Sequence, residues 1–169
     1  IDIFGAKWKN VGNLDYVSCW YKKSADLMRE NNAITTALVS TNSIAQGEQV
    51  ANLWGGLMSD GLQIHFAHRT FQWDSEASIK AHVHCVIIGF GYKEPKQRII
   101  FEGERIIEAK NINAYLVDAE TVFIDSRAKS ICDIPSIGIG NKPIDDSNYL
   151  FSKEEMEEFI AIEPASAAF

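Results

Sequence analysis

Four histidines, His65, His68, His82 and His84, lie close together in the chain, and Cys85 follows the last of them. If the strands carrying them pair, His65 meets His82 or His84 across the sheet, and imidazoles so placed can hold zinc. No Cys-x-x-Cys or His-Glu-x-x-His spacing accompanies them. His84 and Cys85 project to opposite faces of one strand, so they cannot easily share a metal. A structural role is preferred, and no metal site is assigned. A second group is aromatic and basic: Arg69, Phe71 and Trp73, in the loop expected after a strand. Exposed rings beside a cation can stack on an unpaired base, or they can tuck the loop against the sheet. Local sequence leaves both readings open. A third group, Thr41, Asn42 and Ser43, falls just past a strand end, where open α/β sheets receive ligands. These residues read first as the cap of the next helix, with Asn42 facing a ligand as the competing reading. No Gly-x-Ser-x-Gly nucleophile turn occurs, and Lys110, Arg127 and Lys129 read as solvated charges.

Elements must position these groups, and the hydrophobic pattern supplies them. Leu14, Val17, Tyr21, Ala25 and Met28 recur at helical spacing, with Asn13 as the expected cap and Asn31-Asn32 as the stop. The β-branched run from Ala33 to Val39 reads as a central parallel strand, apolar on both faces. Val50, Leu53, Trp54, Leu57 and Met58 mark a second helix, which Gly61 is placed to end in a left-handed conformation. The Gly55-Gly56 pair inside it costs propensity, on the order of 1 kcal/mol per glycine, and points to close approach of another backbone. Strands follow at Leu62 to Ala67 and Val83 to Phe90, expected to pair antiparallel, then more weakly at Arg98 to Phe101 and Val122 to Ile124. This order, helix, strand, helix, strand, strand, is that of half an open α/β sheet. From Ser126 to Tyr149, proline and glycine mark an irregular linker. A short helix then opens with a capping box, Ser152 and Glu155, and a Phe151–Met156 staple.

Composition sets outer bounds. The chain has 169 residues, 46% of them hydrophobic, which fits one folded domain or one plus part of another. A net charge of -7, from 16 basic and 23 acidic side chains, argues against this segment itself gripping an anionic polymer. Three dispersed cysteines, Cys19, Cys85 and Cys132, fit reduced core thiols in a cytoplasm rather than a disulfide framework. No apolar run approaches a membrane span.

Longer motifs carry more. Leu14-Asp-Tyr-Val with Trp20-Tyr21, Val39-Ser-Thr-Asn-Ser-Ile44 with Gln46-Gly-Glu-Gln-Val50, Ile64 through Trp73, and Val83 through Phe90 together resemble MmeI-like DNA methyltransferases. Asn111-Ile-Asn-Ala-Tyr-Leu116, Asp133-Ile-Pro135 and Gly140-Asn-Lys-Pro143 resemble the same family where methylase passes into target recognition. The resemblance implies the C-terminal half of a Rossmann-like methyltransferase sheet over residues 1–95. Residues 96–169 would then be a connector and the beginning of the target recognition domain. It implies a restriction–modification parent that transfers methyl from S-adenosylmethionine to adenine in double-stranded DNA after base flipping. Neither the glycine-containing cofactor loop nor an Asn-Pro-Pro-aromatic motif occurs between Ile1 and Phe169. No catalytic or cofactor-binding residue is therefore assigned, and the fragment alone is expected to be inactive. Carried over residue by residue, Phe71 matches the ring that stacks on the extruded base, with Trp73 the second choice. Arg69, Lys80 and Asn42 are the candidate DNA contacts. The alternative is a non-catalytic interaction module that keeps a methylase-like sheet.

Overall fold

In the computed structural model, residues 3–6, 8–73, 83–124, 127, 130, 132–134 and 150–168 are described. They form two units, Ile1–Ser126 and Arg127–Phe169. In the first, helix α1 (Ser18–Glu30) leads into strand β1 (Thr36–Thr41). A 3-10 turn (Asn42–Ala45) then opens a helical run made of α2 (Gly47–Gln49), a π-turn (Val50–Trp54) and α3 (Gly55–Ser59). Strands β2 (Gln63–Trp73), β3 (Val83–Gly91), β4 (Arg98–Glu102) and β5 (Arg105–Ala109) follow. The sheet order is β1-β3-β2-β4-β5; among the described strands β2 and β4 pair in parallel and the other neighbours antiparallel. The expected α/β order is thus present, with α1 and the helical run preceding the long β2–β3 pair.

Packing explains the arrangement. Tyr21 of α1, Trp54 of the π-turn and Phe90 of β3 are fully buried and in mutual ring contact, with centroids 5.3 to 6.1 Å apart. Around them close Met28, Ile44, Leu53, Leu57, Ile64 and Ile88. Fully burying a side chain such as Phe90 contributes about 1.5–3 kcal/mol. Both polar handles in this core are satisfied. Tyr21 Oη shares a 2.9 Å hydrogen bond with Ser40 Oγ, and Trp54 Nε1 donates to the Ile44 carbonyl. Burial pushes the Tyr21 phenol up to about 12, against the opposing pull of Ser40.

Several expectations are corrected. The first helix begins at Ser18, not Leu14, with Val17 at its cap position. Asn13 is drawn away because its side chain donates instead to Glu48 Oε2 at 2.7 Å. Strand β1 is not a central parallel strand: it lies at the end of the described sheet, antiparallel to β3, and its burial alternates. β2 does not stop at Ala67; it runs on to Trp73 through register shifts that break the alternation used to read it. Val122 to Ile124 is not a strand, and Val122 and Ile124 are exposed. β5 has no counterpart in the sequence reading. Gly61 does end α3 at φ +91°. What approaches the Gly55-Gly56 pair is no backbone: a Cβ on Gly56 would lie 2.5 Å from the Trp8 ring.

After β5 the chain makes a tightly bonded turn. The buried Asn113 accepts from the Tyr115 and Val117 amides through Oδ1 and donates to the Glu120 carbonyl. Asp118 Oδ1 accepts the Lys110 and Asn111 amides at 3.0 Å each. In the second unit, helix α4 (Lys153–Ile162) opens on the expected capping box, Ser152 with Glu155. The ring of Phe151 stands 5.2 Å from that of Phe159, while Met156, its expected partner, is 44% exposed. Most of the expected linker, 126–149, lies outside the described residues.

Candidate functional site

The far end of β2 carries the aromatic residues singled out above. Phe71 pairs with Cys85 and Trp73 with Val83, so both sit on a strand rather than in a loop. Phe71 is half-buried, its ring edge-on to His68 at 4.9 Å and tilted against Trp73 at 6.3 Å. His68 stacks in turn on Phe101 of β4, and Phe101 meets Phe66. A continuous chain of rings therefore runs along β2 and ends at Trp73, which is 51% exposed. Its half-buried members brace one another's ring planes, and its last member offers a face. Such an end can receive one further flat ring by stacking, without rearranging what lies behind it.

Charge near this end is already engaged. Arg69 donates to Glu102 Oε1 at 2.7 Å, a half-exposed pair that contributes on the order of 0–1 kcal/mol. An arginine so held keeps further N–H donors for an anion, though with its charge partly neutralised. Lys80 and His82 lie outside the described residues, as does Lys129; Lys110 and Arg127 are exposed. Asn42 opens the turn at the C-terminal end of β1 and is half-buried. The expected cap beside it does not form, because no side chain caps that turn. Thr41 and Ser43 bond one another at 2.7 Å, and Ser43 donates to Asp15 Oδ2 at 2.9 Å.

The histidines are dispersed by the register. His84 lies opposite Gln72, whereas His65 sits at the other end of the ladder, close against Gly91, so they do not meet. His65 Nε2 is buried without a hydrogen-bond partner, and burial holds the imidazole below the usual histidine range. Among the described residues no three His, Cys, Asp or Glu side chains come together to hold a metal. Cys85 is buried and Cys19 half-buried, but Cys132 is exposed and is no core thiol.

One feature escaped the sequence reading. A cleft of about 570 Å³ is lined by Phe4, Trp8 and Asn10 of the N-terminal segment and by Asn52, Gly56 and Ser59 of the helical run. It shares no lining residue with the aromatic end. Two of the three cations that line it are paired: Lys22 holds Asp26 at 2.6 Å and Arg29 holds Asp60 and Tyr92, while Lys9 is the third. Beside the cleft, Asn13 to Asp15 is held by Gln49, Glu48 and Ser43. The Gln46-Gly-Glu-Gln49 run is plain in the sequence, but its partners lie more than thirty positions away.

Comparisons with known proteins agree along the chain. Residues 1–102 match the family model of the MmeI DNA-methyltransferase domain, and residues 118–169 match that of the MmeI target recognition domain. A relative from Bacillus subtilis (strain 168), DNA methyltransferase A, is 41% identical over 161 residues. That match covers 95% of this chain and 18% of the relative. The solved structure of the Type IIL restriction-modification enzyme MmeI in complex with DNA superposes with a TM-score of 0.84 at 50% identity. It covers 98% of this chain and 23% of that one, so the chain spans about a fifth of the length of these relatives.

Proposed function

The chain belongs to the MmeI family of DNA methyltransferases, and from that membership we propose that its parent protein methylates adenine in double-stranded DNA. The methyl group passes from S-adenosylmethionine to the exocyclic amine, after the base has left the helix. That amine is unreachable inside the stack, so extrusion must precede transfer. The observation that carries the reading is the close match, over nearly the whole chain, to MmeI solved with DNA. The exposed end of the ring chain on β2 supports it, since an extruded base needs a flat apolar surface to lie on. In this reading Phe71 and Trp73 stack on the base, and Arg69, Lys80 and Asn42 touch nearby DNA.

We further propose that residues 1–95 serve the methylase and that 96–169 connect to and begin target recognition. β4 and β5 then complete the sheet as the first part of that connector. The cofactor loop and the Asn-Pro-Pro-aromatic motif, both absent between Ile1 and Phe169, would come from the parent's preceding segment. The isolated chain is accordingly inert and leaves the cofactor unbound. Work on DNA places the parent in the cytoplasm; among the described residues no helix is long and apolar enough to cross a membrane.

The test is digestion of DNA treated with the parent enzyme and labelled S-adenosylmethionine, followed by mass spectrometry of the nucleosides. Label in N6-methyladenine is the expected result. Label in cytosine alone, or none, would refute the reading. Micromolar binding of the cofactor by the isolated chain, in a calorimetric titration, would contradict its inertness.

A further inference from the structure

The segment before α1 contains little regular structure, yet it is fixed at two points on the same helical run. The first point is apolar. Trp8 lies so close over Gly56 that any Cβ there would overlap its ring, and the ring is backed edge-on by Phe4 at 5.1 Å. The second point is polar and unusually dense. The carboxamide of Gln49, itself buried, accepts the Asp15 amide through Oε1 at 3.3 Å and donates through Nε2 to the Asn13 carbonyl at 3.1 Å. Asn13 donates to Glu48, Ser43 donates to the Asp15 carboxylate, and Ser18 Oγ donates to the Asp15 carbonyl at 2.6 Å. Between the two anchors runs the π-turn Val50–Trp54, a geometry that costs helix stability and recurs at functional sites. A mere connector has no need of so much ordering, because each fixed residue costs backbone entropy.

Resting on the proposed function, we infer that Gln49, Ser43 and Gly56 are positioning residues for the methyl-transfer step. They hold residues 3–6 and 8–17 in one place, and with them the reaction motif that precedes this segment in the parent. None of the three touches substrate. They act by fixing Asn13 to Asp15 against the turn and helical run that follow β1. A displacement of about 1 Å in such a support can lower turnover about 100-fold without altering binding.

The experiment uses the full-length parent enzyme with Gln49→Ala, Gln49→Glu, Ser43→Ala, Ser43→Thr and Gly56→Ala. Single-turnover methylation, KM for DNA and for the cofactor, melting temperature and amide exchange at Asp15 are measured for each. Gln49→Ala and Ser43→Ala are expected to lower the transfer rate about tenfold or more, with both KM values within about twofold. Ser43→Thr, which keeps the hydroxyl, should restore the rate, and Gln49→Glu, which keeps only the acceptor, should fall between. Gly56→Ala displaces Trp8 and should give the same split from the apolar anchor. Unchanged transfer in Gln49→Ala while Asp15 exchanges faster would overturn the inference. So would rates that fall only in step with melting temperature across the set, since that marks a purely structural role. A wild-type enzyme inert on adenine would instead remove the functional reading on which the inference rests, and the wild-type control separates the two failures.

Discussion

The two ends of the β2–β3 ladder are built from the same strands and do opposite things. At one end, Ile64 and Ala67 pair with Phe90 and Ile88, and all four are buried under Tyr21, Trp54 and Met28. At the other end, Phe71 and Trp73 pair with Cys85 and Val83, and the exposed fraction rises to 51% at Trp73. Among the described residues, α1 and the π-turn line the first end and not the second. Hydrophobic residues at the buried end hold the sheet together; chemically similar residues at the projecting end are held out from it. The lesson is that an aromatic residue's role here follows from where the strand pair leaves the core, not from its type.

Substitutions can break this contrast. Phe90→Ala removes the ring that both Tyr21 and Trp54 contact. It should cost about 3–5 kcal/mol in a denaturant titration. A cost below 1 kcal/mol would show that the buried end is not the keystone. Alkaline titration tests the same end without mutation. The Tyr21 phenol is raised to about 12 in the folded chain from an ordinary value near 10. Its contribution is therefore complete below about pH 10 and is lost as pH rises through about 12, on the order of 2 kcal/mol in all. Tyr21→Phe should flatten that alkaline limb. Phe71→Ala should do the reverse of Phe90→Ala. It should reduce the parent's kcat/KM on DNA by the equivalent of about 1–3 kcal/mol of stacking, while moving the denaturation midpoint less than Phe90→Ala does. Arg69→Ala, which breaks the exposed pair with Glu102, should change stability by less than about 1 kcal/mol. Its effect on DNA affinity should shrink as salt rises.

Much of the buried end was legible because its cause is local. The β-branched and apolar runs around Ile64 and Val86, and the 3.6-residue recurrence of Tyr21, Ala25 and Met28, report burial directly; the run around Leu38 does not, since its residues alternate between half-buried and exposed. The capping box of Ser152 and Glu155 was legible for the same reason, since its partners are three positions apart. Illegible features depend on partners far along the chain. Asn13 fails to cap α1 because Glu48 and Gln49 claim its side chain and carbonyl. The sequence pattern places Phe71 in a loop because register shifts near His65 and Arg69 destroy the two-residue period by which strands are read. β5 carries a local signal too: a two-residue turn, Gly103-Glu104, separates the paired Glu102 and Arg105, which is hairpin spacing. At the site, residue types were readable and the pairing that disperses His65 from His84 was not.

The most direct test places 2-aminopurine at the target adenine and follows its emission on binding by the parent enzyme. With wild type the emission should rise as the base leaves the stack, and Phe71→Ala should lose most of that rise while still binding DNA. An undiminished rise together with an undiminished methylation rate in Phe71→Ala would contradict the account.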